Sequence, residues 1–251
     1  MQKTVLVTGA GSGFGKAVSI KLNDRGHKVI ATTETDEQAE ALQKEHPDLT
    51  VVRIDITSDD VKQVSKWDID VLINNAGMGQ TGPMADVPMD RIRKIFEVNV
   101  FGTLAITQHV LAGMIKKGHG RVIVMSSIGG LQSFPTFGPY NMTKHALEGM
   151  GKAMRVELAA QGIDVCMINP GPFSTGFNDA MVETMWEWFG PDSLQAPNME
   201  MFSSMRSAAV DNQMDPMLVV DKLVELTEAV STKENNIVPS NGVEELNASI
   251  K

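Results

Sequence analysis

The sequence predicts an open parallel α/β sheet with helices on both faces, and three observations support this fold class. Short runs rich in β-branched residues alternate with longer helical patterns over most of the chain. Gly26, Gly118 and Gly162 stand where helices should end before the next strand, as left-handed caps. The composition, 42% hydrophobic and 21% charged residues in 251, is that of a globular protein with a substantial core.

The predicted elements follow one another regularly, a strand and then a helix. Six strands are indicated, namely TVLVTG, KVIATT, LTVVRIDI, IDVLINNAG, GRVIVMSS and GIDVCMINPG. The helical patterns between them are FGKAVSIKLNDRG, DEQAEALQKEH, DDVKQVSKW and two long stretches at about 89–117 and 140–161. This alternation is typical of a parallel sheet that is buried on both faces. Because no repeat or linker interrupts it, we expect residues 1–251 to form a single domain.

The regular pattern breaks after the sixth strand. Residues 178–210 are rich in Met, Trp and Phe and are interrupted by Pro191 and Pro197. This apolar insertion follows the carboxyl end of a strand, where open parallel sheets place their ligand crevice. We interpret it as a substrate lid, and the alternative is a segment that serves packing or subunit contact.

Charge and cysteine content limit the possible partners. A net charge of −9 and a pI near 5.0 argue against nucleic acid and anionic membranes, which favour basic surfaces. Cys166 is the only cysteine, so no intramolecular disulfide can form, and its apolar context predicts a buried side chain. The first strand begins at residue 3 and no long uncharged apolar run occurs. We expect a cytoplasmic protein with small-molecule partners, without membrane insertion and without a metal site.

A glycine-rich loop, VTGAGSGFGKA at residues 7–17, connects the first strand to the first helix. The pattern G-x-G-x-x-G fails, because Phe14 occupies the place of its third glycine. The spacing is instead T-G-x-x-x-G-x-G, through Thr8, Gly9, Gly13 and Gly15. A tight strand-to-helix turn alone would also favour glycine. In the first strand–helix unit, however, such a loop can hold a pyrophosphate on backbone N–H groups and a helix N-terminus, so we predict a dinucleotide site.

The end of the second strand bears on which dinucleotide binds. A 2′-phosphate needs a nearby cation, whereas a carboxylate can hold a free ribose diol. Thr33, Glu34 and Thr35 provide no cation, Glu34 would repel a phosphate, and Ser12 in the glycine loop is neutral. The sequence therefore favours NAD(H). An aspartate at the position of Thr33 would favour NAD(H) more strongly, so NADP(H) is kept as the alternative.

The only tyrosine of the chain, Tyr140, precedes Lys144 by four residues, so both side chains share one face of a predicted helix. Such pairs are commonly solvated surface contacts. Three further polar stretches fall at the carboxyl ends of predicted strands or in a following helix. These are NNAG at 74–77, Asn99 in FEVNVFGT, and Ser127 in VIVMSSIGG, thirteen residues before Tyr140.

With these motifs in this order, the chain resembles the short-chain dehydrogenase/reductase family over roughly residues 3–176. The resemblance implies a Rossmann-like, doubly wound sheet in the order 3-2-1-4-5-6-7, and hydride transfer between a nicotinamide and a carbinol carbon. It makes Tyr140 the acid/base, Lys144 a partner of the nicotinamide ribose, Ser127 the holder of the substrate oxygen, and Asn99 the residue that positions a water in a proton relay. We expect Lys144 and the oxidised nicotinamide to lower the pKa of Tyr140.

The same resemblance implies a set of cofactor contacts. Asp55 and Ile56 would contact the adenine, and Thr175 the carboxamide. The complete set predicted to bind the cofactor is Gly9, Ser12, Gly13, Phe14, Gly15, Thr33, Glu34, Asp55, Ile56, Asn75, Ala76, Gly77, Tyr140, Lys144, Pro170, Gly171 and Thr175.

One departure from the family pattern concerns assembly. Many tetrameric members end in a glycine-rich segment resembling DGG, and this chain ends NNIVPSNGVEELNASIK. We therefore expect a homodimer through the helices at about 89–117 and 140–161, with a tetramer as the alternative.

The leading functional hypothesis is an NAD(H)-dependent alcohol dehydrogenase or ketone reductase. Phe134, Phe137, Met142 and the insertion at 178–210 suggest a hydrophobic secondary alcohol or ketone as substrate. One alternative is a binding protein that senses NAD(H) without turnover. Another is a lyase similar to halohydrin dehalogenases, against which the intact glycine loop and Lys144 argue.

Overall fold

The computed structural model describes residues 1–240, in which seven strands form one sheet. The strands are β1 Thr4–Val7, β2 Lys28–Thr33, β3 Thr50–Arg53, β4 Val71–Asn74, β5 Gly120–Met125, β6 Ile163–Pro170 and β7 Asn235–Val238. The α-helices are α1 Gly13–Asp24, α2 Asp36–Glu45, α3 Met89–Phe96, α4 Thr103–Lys117, α5 Gly138–Leu158, α6 Phe177–Glu183, α7 Met199–Val210 and α8 Met217–Glu228. The chain end after residue 240, part of the segment without a DGG-like motif, lies outside the described residues.

The sheet has the order β3-β2-β1-β4-β5-β6-β7, as the family resemblance implies, and all its strand pairs are parallel. Its order reverses at β1, where Val7 is in register with Ala31 of β2 on one side and Ile73 of β4 on the other. Sheets of this kind bind ligands outside the carboxyl ends of their strands, at this switch point.

Both faces of the sheet are buried, which explains why its strands are nearly continuous apolar runs. Val5 and Val7 of β1 belong to one core cluster with Leu22 of α1 and Leu223 of α8. Leu6, between them, faces the opposite side. Helices that pack on both faces fix the strands, and so fix the loops at their carboxyl ends.

The glycine caps are confirmed. Gly26, Gly118 and Gly162 have φ values of 85°, 72° and 73°, in the left-handed region that glycine tolerates. One helical prediction is modified, because the segment DDVKQVSKW forms a 3₁₀ helix over Asp59–Lys66 rather than an α-helix.

The predicted helix at 89–117 is also modified, since Glu97–Gly102 forms a π-helical turn between α3 and α4. Asn99 in this turn is 1% exposed and bonds outside its own helix, where its Oδ1 accepts the backbone N–H of Met78 at 2.8 Å. A Cβ at Gly102 would lie 2.9 Å from Cγ1 and 3.0 Å from the carbonyl oxygen of Ile56. The wider turn therefore places Asn99 against the segment after β4 and Gly102 against the segment after β3.

By length and composition alone, the described stretch Met89–Lys117 would also suit a membrane span. In the structure this stretch packs on the sheet through Ile106, Val110 and Met114, each at most 4% exposed. A core helix of a globular protein meets the same criteria.

Residues 178–210 contain most of α6, a series of turns, and α7. An apolar cluster within this segment centres on Phe189, which is 6% exposed. Its ring centroid lies 6.1 Å from that of Trp186, 6.0 Å from that of Trp188 and 5.6 Å from that of Phe202. The insertion therefore has a small core of its own.

Polar contacts fasten this insertion to the chain between β4 and α4. The Asp86 carboxylate accepts the backbone N–H groups of Leu194 at 2.7 Å and Gln195 at 2.9 Å. Arg91 forms an ion pair with Glu187 at 2.8 Å. Because these contacts are partly exposed, each contributes little to stability.

The close approach at Gly102 predicts a stability difference between two glycine substitutions. Gly102→Ala should lower the free energy of unfolding by about 1–3 kcal/mol, because the added methyl group overpacks against Ile56. Gly113→Ala is the matched control in α4, since nothing lies within 4 Å of a Cβ there, and it should raise stability by up to about 1 kcal/mol. Urea denaturation measures both values. Equal effects of the two substitutions would contradict the packing described for Gly102.

Candidate active site

A cleft of about 1140 Å³ lies along the carboxyl ends of the strands. Its walls come from the loops after β1 to β6, from α5, and from the insertion at 178–210. Of the residues predicted from sequence to be catalytic or to bind the cofactor, sixteen line it: Gly9, Ser12, Gly13, Phe14, Glu34, Asp55, Ile56, Asn75, Ala76, Gly77, Ser127, Tyr140, Lys144, Pro170, Gly171 and Thr175. The structure thus brings together residues that are up to 166 positions apart, from Gly9 to Thr175.

The glycine loop forms one end of the cleft floor. Gly9 and Gly13 have positive φ values of 66° and 52°, and Ser12 is the N-cap residue of α1 without a side-chain capping bond. Its hydroxyl and the helix N-terminus are therefore available to an anion. Gly15 does not line the cleft, and a Cβ there would overlap the carbonyl oxygen of Gly9 and the side chain of Asn75. This glycine allows helix and loop to approach each other.

Hydrogen bonds lock the NNAG segment to the glycine loop. The Thr8 hydroxyl oxygen accepts the N–H groups of Asn75 and Ala76, both at 2.9 Å. The Asn75 amide donates in return to the carbonyl oxygens of Thr8 at 2.9 Å and Gly9 at 3.0 Å. These contacts hold the floor of the cleft rigidly between β1 and β4.

The end of the cleft beside β2 and β3 is acidic. Glu34 is exposed there, and its backbone N–H donates to the side chain of Gln38 at 3.2 Å. Asp55, which follows β3, lines the same cleft. Thr33 does not line the cleft: it is 1% exposed and its hydroxyl donates to the carbonyl oxygen of Thr35 at 3.1 Å. Among the described residues that line the cleft, the basic ones are Lys94 and Lys144.

Tyr140, Ser127 and Lys144 meet at the other end of the cleft. Ser127 caps the 3₁₀ turn Ile128–Gly130, where its Oγ accepts the N–H of Gly129 at 3.0 Å. Lys144 Nζ lies 5.4 Å from the centroid of the Tyr140 ring and donates to the carbonyl oxygen of Met125 at 2.7 Å. The predicted pairing on one helix face is present, and the ammonium lies above the ring rather than at the phenol oxygen.

Burial dominates the titration of these two groups. It raises the pKa of the Tyr140 phenol to about 12, while a hydrogen bond with Ser127 acts in the opposite direction. Burial also lowers the pKa of the Lys144 ammonium to about 8, against the charge of Glu148. The expected lowering of the Tyr140 pKa is therefore not produced by the protein's own groups, because removal from water disfavours the phenolate.

Asn99 lies behind the wall and does not line the cleft. Its Nδ2 donates to the carbonyl oxygen of Met78 at 2.9 Å and to the Thr143 hydroxyl at 3.1 Å, while its Oδ1 accepts the Met78 N–H. The side chain thus ties the π turn to the segment after β4 and to α5. Its role toward a relay water stays a prediction.

Apolar side chains line the cleft beside Tyr140. Phe177 has its ring centroid 5.9 Å from that of Tyr140. Met78, Phe137 and Met181 pack in the same apolar cluster as Tyr140 and Phe177, and Phe134 and Met205 also line the cleft. Met142, expected near the substrate, is 42% exposed and does not line the cleft. Met142 follows Tyr140 by two positions, and residues two apart on a helix do not share a face.

Sequence reasoning missed several lining residues, among them Gln38, Thr57, Met78, Asn141 and Phe177. Two of them could have been found from the sequence, since Met78 directly follows the motif NNAG and Phe177 closely follows NPGPFST. Gln38 could not, because it reaches the cleft from the first turn of α2 through a bond to the Glu34 backbone.

The cleft suits a dinucleotide. Its polar glycine-loop floor provides a helix N-terminus for the phosphates, acidic side chains stand at one end for a ribose, and polar and apolar groups face each other at the other end. A nicotinamide cofactor would be held by the residues of the glycine loop, Glu34, the NNAG segment, Lys144 and Thr175.

Comparisons with known proteins agree with this geometry. The model of the family described as short chain dehydrogenase matches residues 3–186. The uncharacterized oxidoreductase YusZ of Bacillus subtilis (strain 168) is 35% identical over 237 residues, which are 90% of this chain and 84% of that protein. The NADPH-dependent 3-dehydrocapnine reductase of Ornithobacterium rhinotracheale is 36% identical over 184 residues, 68% of this chain and 65% of that protein.

Solved structures share the fold. A short-chain dehydrogenase from Streptomyces avermitilis superimposes with a TM-score of 0.82 at 28% identity, covering 100% of this chain and 93% of that one. The family match extends over well more than half of the chain. The chain therefore belongs to the short-chain dehydrogenase/reductase family of oxidoreductases, whose fold binds a nicotinamide cofactor.

Proposed function

We propose that the protein interconverts a hydrophobic secondary alcohol and its ketone with NAD(H), using Tyr140 as acid/base. One observation carries this proposal. Tyr140, Ser127 and Lys144 lie together at the apolar end of a cleft whose glycine-loop floor and acidic end suit the phosphates and a ribose of a dinucleotide.

In the proposed reduction, a nicotinamide cofactor held by the glycine loop, the NNAG segment and Lys144 would supply the hydride that the carbonyl carbon of the substrate accepts. The Tyr140 phenol is neutral near pH 7, because burial raises its pKa to about 12, so it can donate a proton to the substrate oxygen. The electron pair of the C=O π bond moves to that oxygen as the proton arrives. The Ser127 hydroxyl donates a hydrogen bond to the same oxygen and holds the carbonyl in place.

Proton transfer leaves Tyr140 as a phenolate, which Lys144 stabilises. An ammonium has three N–H donors, of which the Met125 carbonyl takes one, so two remain for a ribose and for the developing charge. Below its pKa of about 8, Lys144 carries the positive charge that a phenolate needs nearby. Oxidation of the alcohol follows the same path in reverse, with the phenolate as base.

The preference for NAD(H) rests on charge. Glu34 stands at the carboxyl end of β2, where a 2′-phosphate would come close, and the basic residues that line the described cleft wall, Lys94 and Lys144, belong to other elements. A like charge at this place disfavours NADP(H). Because a relative of this chain is NADPH-dependent, the end of β2 is the feature to test.

The proposed substrate is hydrophobic because the cleft wall beside Tyr140 is built from Phe and Met side chains. Met181 and Met205 bring the insertion at 178–210 into this wall, which supports its interpretation as a substrate lid. The flexible thioether side chains can adapt to ligands of different shape.

We also propose a homodimer in the cytoplasm. The exposed apolar residues Phe101, Ile115, Met142 and Val156 lie on the π turn and on helices α4 and α5, the elements expected to form the contact. Apolar side chains that remain exposed on adjacent helices suit a two-fold contact between identical chains.

Tyr140→Phe should lower kcat by about two orders of magnitude or more, the usual scale for losing a general acid or base. NADH affinity should change little, because the ring beneath Lys144 is retained. Steady-state kinetics with a ketone substrate and NADH fluorescence titration measure the two quantities. Glu157→Gln, on the exposed side of the same helix, is the control and should keep its turnover. Turnover of Tyr140→Phe within tenfold of the unmodified protein would refute the acid/base role.

Glu34→Arg should shift the ratio of kcat/KM values toward NADPH, because it replaces a repelling carboxylate with a cation at the 2′ position. A shift of tenfold or more is expected, about 1.4 kcal/mol. Glu40→Arg makes the same change of charge on the exposed side of α2 and should leave the ratio near its original value. If both variants shift the ratio equally, Glu34 does not face the ribose.

A further inference from the structure

Glu148 is a buried carboxylate that the proposed reaction does not use. It lies on α5, one turn after Lys144, and is 4% exposed. Its Oε1 accepts the Asn169 amide of β6 at 2.6 Å, and its Oε2 accepts the Asn235 amide of β7 at 2.7 Å. Lys152 approaches the same carboxylate at 3.8 Å from the protein surface, where it is 47% exposed.

The cluster reaches the active site through the backbone after β5. The Asn169 Nδ2 that donates to Glu148 also donates to the carbonyl oxygen of Ser127 at 3.3 Å. Lys144 donates to the carbonyl oxygen of Met125, two residues earlier. Two side chains beside Glu148 therefore hold the backbone on either side of Ser126, the segment that positions the Ser127 hydroxyl.

The charges around Lys144 indicate a second connection, between Glu148 and the Lys144 ammonium. The buried ammonium donates its described hydrogen bond to a neutral carbonyl, and its ring neighbour Tyr140 is neutral near pH 7. The groups that β6 and β7 contribute to the cluster are the neutral amides of Asn169 and Asn235. Glu148 is thus the anion that opposes the desolvation of Lys144.

We propose that Glu148 is a positioning residue of the active site, which through Asn169 fixes the backbone that carries Ser127 and which provides a buried carboxylate one turn along α5 from Lys144. The consequence for catalysis rests on the proposed function. The effect of Glu148 on the pKa of Lys144 does not rest on the proposed function, since it concerns the protein without substrate or cofactor.

Glu148→Gln tests the charge, because the amide can still accept the Asn169 bond. The pKa of Lys144, followed by ¹⁵N NMR of the lysine side chains and assigned with Lys144→Met, should fall below its value in the unmodified protein. At pH 8.5, turnover of a ketone should fall about tenfold for each unit by which the pKa of Lys144 falls. At pH 6, where Lys144 is charged in both the unmodified protein and the variant, turnover should recover. Glu157→Gln makes the same change of charge at an exposed position of α5 and is the control, which should change neither quantity.

A second variant keeps the test valid should Glu148→Gln fail to fold. The double substitution Glu148→Gln/Asn235→Asp returns a carboxylate to the cluster but moves it from α5 to β7, one hydrogen bond further from Lys144. The pKa of Lys144 should again fall.

Asn169→Ala tests the second connection. It should lower kcat while the pKa of Lys144 stays near its original value, because the carboxylate remains in place. An unchanged Lys144 pKa in a folded Glu148 variant would overturn the proposal, whether or not a substrate has been found. A lowered pKa with no turnover in the unmodified protein would support the proposal and contradict the proposed function instead.

Discussion

Hydrogen bonds between the loop after β1 and the segment after β4 fix the point where the sheet order reverses. Thr8 and Asn75 exchange side-chain and backbone bonds across this point, so the glycine loop and the NNAG segment form one rigid floor. Asn99 attaches the π turn to the next residue of that segment, Met78. The remaining walls of the cleft are placed relative to this floor.

Burial of polar groups gives the other end of the cleft its chemistry. Tyr140 and Lys144 are removed from water, and burial moves both pKa values toward the neutral forms. In the proposed reaction, a neutral phenol suits proton donation, whereas Lys144 must remain charged and therefore needs an anion within the protein. Glu148 meets that need from the same helix, and the amides of β6 and β7 hold its carboxylate. The catalytic end thus depends on contacts that extend well behind the cleft wall.

Much of this architecture could be predicted from the sequence, because a sheet buried on both faces leaves apolar runs and helix ends leave glycines. Helical spacing also placed Tyr140 and Lys144 on one face. The spacing of residues along a helix does not show how deeply a side chain is buried. The effect of burial on the pKa of Tyr140 was therefore missed, as was the exposure of Met142. Thr33 is buried like the preceding residues of β2, because both faces of the sheet are covered, although its place in the chain suggested a cofactor contact. The π turn depends on bonds from Asn99 to a distant segment, which no local pattern reveals.

The most direct test of the account is a fluorescence titration of the purified protein with NADH and NADPH, followed in the same cuvette by a panel of aromatic, terpenoid and steroid ketones. The account predicts tighter binding of NADH, and oxidation of the bound nucleotide by one class of these hydrophobic ketones. Saturable NADH binding without oxidation by any of them would contradict the proposed reductase and favour a protein that only senses the nucleotide. Failure of the folded protein to bind either nucleotide would contradict the assignment of the cleft itself.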